Sequence, residues 1–121
     1  MKNLLQYCFF LSLLIGFNNF SLAQQDTSGI FTVYTFDIKE MIAPPVWRTT
    51  KLAMENAEKM NADLILIHMN TYGGTLDDAD SIRTKILNSK IPVFVFIDKN
   101  AASAGALISI ACDSIYMAPG A

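Results

Sequence analysis

The chain has 121 residues, is 52% hydrophobic and carries a formal net charge of -2, which fits one small globular unit and excludes a disordered tail or a polybasic binder. Its lysines and arginines stand singly and never cluster, so no electrostatic footprint for a phosphate backbone is present and nucleic acid is excluded as a partner.

Residues 1–23 read as a secretory signal peptide. Lys2 precedes an apolar run from Leu4 to Phe17 that is too short to span a bilayer, and Ser21 and Ala23 satisfy the small-residue cleavage pattern. Removal leaves 121 - 23 = 98 residues with a formal charge of (9 - 1) - 11 = -3. Cys8 leaves with the leader, so the remaining Cys112 has no disulfide partner, and its apolar neighbours Ile108, Ile110 and Ala111 suit a small buried thiol. Residues 24–29 form a short polar tether.

Ile30 to Ile38 alternates and is rich in β-branched and aromatic residues, which predicts a first strand. Pro44-Pro45 opens a helix expected from Pro45 to Asn61. Asp63 to Asn70 is a nearly unbroken apolar run and predicts a central parallel strand covered on both faces. After Thr71-Tyr72-Gly73-Gly74, the residues Leu76, Ala79, Ile82, Ile86 and Leu87 return at helical spacing. Ile91 to Ile97 predicts a third strand, Asp98-Lys99-Asn100 a turn, Ala101 to Ala111 a buried helix, and Ser114 to Met117 a last short strand stopped by Pro119-Gly120. This alternation predicts an α/β fold with a parallel sheet and right-handed crossovers. Residues 30–121 are expected to be the N-terminal part of an incomplete domain, because the sheet lacks later elements to cover it.

Two loops follow the C-terminal ends of strands, where open α/β sheets place ligands. In Asn70-Thr71-Tyr72-Gly73-Gly74, paired glycines let a substrate approach and leave N–H groups for an oxyanion, although a plain turn accounts for them equally well. In Ala101-Ala102-Ser103-Ala104-Gly105, a serine in the first turn of a helix has unpaired N–H groups and the positive end of the dipole beside it. Serine is also a preferred N-cap, and position alone does not separate nucleophile from cap.

Together, the run NTYGG and the run AASAGALISIACDSIYMAPGA resemble the periplasmic NfeD family of membrane-associated ClpP-class serine peptidases, in the ClpP/crotonase superfamily, from about Val33 to Ala121. The resemblance implies a ClpP/crotonase-like sheet, Ser103 as nucleophile, Gly73 and Gly74 as oxyanion-hole donors, and Thr71, Tyr72, Ala104 and Gly105 as substrate-binding support. It implies no cofactor. It further implies an exported protein on the periplasmic face of the membrane, homodimeric, anchored by segments after Ala121, and cutting apolar segments of stomatin- or prohibitin-like membrane proteins. Two departures stand out: Tyr72 replaces the family's proline, and the family's general-base lysine lies further downstream than this chain reaches.

Within the chain, Lys99 is expected to point to solvent from a turn, and His68 lies mid-strand, where packing is its commoner role. Asp77, Asp78 and Asp80 fall at a helix start, where acids meet the dipole favourably, and form no metal-ligand cluster. The leading function is hydrolysis of a peptide by Ser103 with a lysine base, which the fragment alone lacks. Its competitors are a crotonase-like acyl-thioester enzyme, disfavoured by the signal peptide, and a non-catalytic scaffold for a membrane complex.

Overall fold

The computed structural model describes residues 29–121, so the leader expected over 1–23 and all of the tether but Gly29 lie outside the described residues. Seven elements run in chain order: β1 (Val33–Ile38), α1 (Pro44–Lys59), β2 (Leu64–Thr71), α2 (Leu76–Leu87), β3 (Val93–Ala101), α3 (Ala104–Ser109) and β4 (Ser114–Met117). The strands make one sheet in the order β1-β2-β3-β4, all parallel. Each strand neighbours its successor, so right-handed crossovers bring all three helices onto one face.

That face holds the core. Ile65, Ile67 and Met69 of β2 and Val93 and Val95 of β3 are fully buried there, and α1 adds Val46, Thr50, Ala53, Met54 and Ala57 at helical spacing. Truncating one of the large core side chains to alanine costs about 2–5 kcal/mol. Pro44 and Pro45 start α1 where their missing N–H groups cost nothing, and Asn61 at φ 50° turns the chain out of it.

The opposite face departs from expectation. Along β2, Leu64, Leu66, His68 and Asn70 are only half-buried, in strict alternation with the buried set. Among the described residues this strand is covered on one face, not two. His68 stacks at 45° on Phe96 at 5.7 Å there, its Nδ1 lies 3.3 Å from Asp37 Oδ1, and its Nε2 has no hydrogen-bond partner among the described residues.

A second correction bears directly on the site. Asp98-Lys99-Asn100 is not a turn: β3 runs through it to Ala101, which pairs with Thr71. Ile97 opposes Met69 and Ala101 opposes Thr71, so β3 uses four steps where β2 uses two. The turn-forming residues go into a bulge, which bends a strand without ending it and re-aims the residues beyond it. The helix expected over Ala101–Ala111 is correspondingly shorter, because β3 runs to Ala101 and the chain turns at Ala102 and Ser103 before α3 begins at Ala104.

Candidate active site

The two loops expected to carry chemistry meet at the C-terminal edge of the sheet. Ala102 N–H donates to Thr71 O at 3.1 Å, joining the end of β2 to the end of β3. Ser103 is the residue before α3, with φ 51° and ψ -114°. It therefore stands one position outside the helix, not in its first turn. A non-glycine residue held there stores about 1–3 kcal/mol of strain, which the surrounding structure must impose.

An N-cap serine would adopt extended backbone and return its hydroxyl to the helix N–H groups. Ser103 does neither: its backbone is left-handed in φ, its hydroxyl makes no capping bond, and the side chain is exposed. Such a strand-to-helix elbow projects a serine out of the surface. Among the described residues Ala104 N–H has no backbone acceptor, whereas Gly105 N–H is satisfied by Ala102 O at 2.9 Å.

The glycine loop presses against this elbow. Gly73 has φ 109°, and a Cβ added to it would lie 2.9 Å from Ser103 Cβ, 3.0 Å from Ala102 O and 3.3 Å from Ala104 N. Only glycine satisfies both the dihedral and the space. Gly74 approaches the β1–α1 connection instead: its Cβ would fall 1.9 Å from Ile42 O, because Ile42 N–H donates to Gly73 O and Thr75 N–H donates to Ile42 O. Gly74 N–H, on the other side of that short ladder, has no backbone acceptor among the described residues.

Gly73 N–H is occupied, donating to Thr71 Oγ1 at 3.2 Å. Thr71 is 2% exposed and so faces the interior, whereas Tyr72 is 82% exposed at the tip of the loop. Ala104 and Gly105 are buried where α3 begins. The structure thus brings Ser103, Gly73, Ala104, Gly105 and Thr71 together, with Gly74 and Tyr72 on the same loop.

The other polar residues sit elsewhere. His68 lies three residues before Thr71 on the opposite sheet face, about 10 Å along the strand at ~3.3 Å per residue. Lys99 is exposed within β3 rather than in a turn. Asp77 and Asp78 occupy the first turn of α2, where Thr75 Oγ1 donates to Asp78, and Asp80 pairs with Arg83 at 3.2 Å. The Cys112 thiol is pushed up to about 12 by burial and by the neighbouring Asp113 charge, which leaves it protonated and inert at neutral pH.

Ile42 and Glu40 are site-supporting positions that pattern reading missed. Both act through backbone atoms, which leave no signal in residue type.

Comparison with known proteins places this geometry. Residues 32–121 match the profile of the family described as NfeD1b, N-terminal domain. The chain is 35% identical over 89 residues to membrane protein NfeD1b of Bacillus subtilis (strain 168), covering 74% of this chain and 20% of that protein. It is 36% identical over 91 residues to membrane-bound protease PH1510 of Pyrococcus horikoshii, covering 73% of this chain and 21% of that protein. The chain spans about a fifth of the length of these curated relatives.

Among solved structures, a serine-to-alanine mutant of the 1510-N membrane-bound stomatin-specific protease superposes with a TM-score of 0.71 at 33% identity, over 76% of this chain and 46% of that one. A lysine-to-alanine mutant of the same protease, in complex with a substrate peptide, gives 0.69 at 35% identity, over 74% and 42%. ClpP1 from Listeria monocytogenes gives 0.63 at 28% identity, over 65% and 46%. The four-stranded parallel sheet is accordingly of the ClpP type, and the chain belongs to the NfeD1b N-terminal domain family.

Proposed function

We propose that this chain carries the nucleophile half of a membrane-associated serine endopeptidase. The observation that carries the reading is Ser103 itself: a strained, uncapped serine at a strand-to-helix elbow, against a glycine that tolerates no side chain. Its Oγ attacks the carbonyl carbon of a peptide bond and gives its proton to a lysine amine. The resulting oxyanion is held by Ala104 N–H and Gly74 N–H, whereas Gly73 N–H, expected as a second loop donor, is engaged by Thr71 Oγ1. The lysinium returns the proton to the leaving amine as the C–N bond breaks, and water then hydrolyses the acyl-serine by the same route in reverse.

The lysine is assigned to a segment C-terminal to Ala121. Support for a serine–lysine pair comes from the similar protease, solved both as a serine-to-alanine and as a lysine-to-alanine mutant. That relative is described as specific for stomatin, so the substrate assigned here is an apolar segment of a stomatin- or prohibitin-like membrane protein. With the leader read over 1–23, the domain works as an exported homodimer on the periplasmic face, anchored by later segments.

The test is cleavage of a stomatin-derived apolar peptide by full-length protein and by Ser103→Ala. The variant loses at least about 10³-fold in kcat. Cleavage by the variant at the unchanged rate overturns Ser103 as the nucleophile, and no cleavage by either protein leaves a scaffold on the ClpP fold.

A further inference from the structure

We propose that Thr71 is a positioning residue for the oxyanion loop, acting through its hydroxyl and not through contact with substrate. The proposal rests on the serine-peptidase reading of Ser103. Thr71 is the last residue of β2 and is 2% exposed, yet all of its substituents are engaged. Its hydroxyl donates to Glu40 O at 2.7 Å and accepts from Gly73 N–H at 3.2 Å. Its methyl Cγ2 lies 2.8 Å from where a Cβ of Gly105 would stand, so it packs against the backbone at the start of α3. Its carbonyl accepts from Ala102 N–H.

One buried side chain therefore ties together three separate segments: the β1–α1 connection, the glycine loop and the serine elbow. A hydroxyl serves here because it alone can donate to the Glu40 carbonyl and accept from the Gly73 amide at once. With both bonds made, the Tyr72–Gly73 peptide has one orientation. It anchors the N-terminal side of Gly73, while Ile42 N–H holds Gly73 O on the other, and together they set where Gly74 N–H, which has no backbone acceptor among the described residues, stands relative to Ser103. Losing the hydroxyl leaves the partly buried Glu40 carbonyl and the buried Gly73 amide without this partner, and the loop shifts to find water. Oxyanion donors act only within a narrow geometry, so a small shift costs turnover more than binding.

Two substitutions separate this role from packing, because each keeps what the other removes. Thr71→Val keeps the methyl and loses the hydroxyl; Thr71→Ser does the reverse. In full-length protein, Thr71→Val is expected to lower kcat by about 10- to 100-fold with KM within ~2-fold, and to slow phosphonylation of Ser103 by a fluorophosphonate in parallel. Thr71→Ser keeps both rates within ~3-fold even where lost methyl packing lowers its Tm. If Thr71→Val does not fold, Thr71→Cys, a weak donor of similar size to serine, replaces it with the same expectation.

A kcat for the hydroxyl-free variant within ~3-fold of wild type overturns the proposal, as does an equal loss in both variants that tracks Tm. Ser103→Ala is assayed beside them. If it still cleaves, the peptidase reading itself has failed; if it is inactive while Thr71→Val is fully active, only the role of Thr71 has.

Discussion

The two loops of the site reach their conformations by opposite means. The glycine loop is relaxed: Gly73 at φ 109° is in a region open to glycine, and the loop is stitched to Ile42 and Thr71 by hydrogen bonds. The serine elbow is strained: Ser103 occupies φ 51° with a side chain that gains nothing locally for it. In the first loop residue type was chosen to fit the backbone, and in the second the backbone was bent to suit the residue. Strain that persists where glycine would remove it points to a need for the hydroxyl.

The largest expected effect breaks the relaxed loop. A Cβ on Gly74 would sit 1.9 Å from a backbone oxygen that cannot move aside, so Gly74→Ala destabilises by about 3 kcal/mol or more, read from the urea midpoint. Gly73→Ala meets Ser103 Cβ at 2.9 Å and adds a left-handed penalty of ~1–2 kcal/mol. It should also abolish fluorophosphonate labelling of Ser103, because it pushes the elbow itself.

Relieving the strained loop gives a smaller change of opposite sign. Ser103→Gly is expected to stabilise by about 1 kcal/mol, whereas Ser103→Ala, which keeps a Cβ at the same dihedrals, leaves stability within ~0.5 kcal/mol. Both lose activity. Equal stability of the two variants would show that the elbow carries no strain, and the contrast between the loops would collapse.

The smallest effect concerns Cys112, the thiol just beyond the end of α3. With its thiol raised from 9.0 to about 12, iodoacetamide should modify it very slowly at pH 8, with the rate climbing only as pH approaches 12. Because the native state holds this proton more tightly than the unfolded chain, its contribution to stability is full below pH ~9 and is lost as pH rises towards ~12. Rapid alkylation of the folded protein at pH 8 would contradict the burial described, and would remove Cys112 as a silent background for reagents aimed at Ser103.

Much of the architecture was legible from residue type. The alternating order of strands and helices came from periodicity, and the positions of both loops came from Gly73-Gly74 and from Ser103 after a β-branched run. The features that escaped reading depended on contacts distant in sequence. Asp98, Lys99 and Asn100 carry turn-forming chemistry, but pairing of Ala101 with Thr71 keeps them in a bulged strand. Alanines 101 and 102 look helical by propensity, yet the elbow at Ser103 needs them extended or turning. The burial of β2 on one face alone could not be told from a uniformly apolar run, since Leu64 and Leu66 are as hydrophobic as the buried Ile65 and Ile67. Thr71 was visible as part of a loop motif, but its bond to Glu40 joins residues 31 positions apart.

At the edge of the sheet far from the site, one device is used twice. Asp63 Oδ2 accepts Thr32 N–H at 2.7 Å, while Asp63 N–H donates to Thr32 O. Asp113 holds Val93 in the same reciprocal way, with Val93 N–H donating to Asp113 Oδ2 at 2.7 Å. β1 is thereby clamped to β2, and β3 to β4, whereas the start of the β2–β3 seam is joined by Ile65 N–H to Pro92 O. The glycine loop leaves from the first clamped pair and Ser103 from the second. The proposed active site therefore straddles the one seam that, among the described residues, lacks a carboxylate clasp, and a slip of one residue along it would carry Ser103 about 3.3 Å from the glycine loop while leaving each half of the sheet intact.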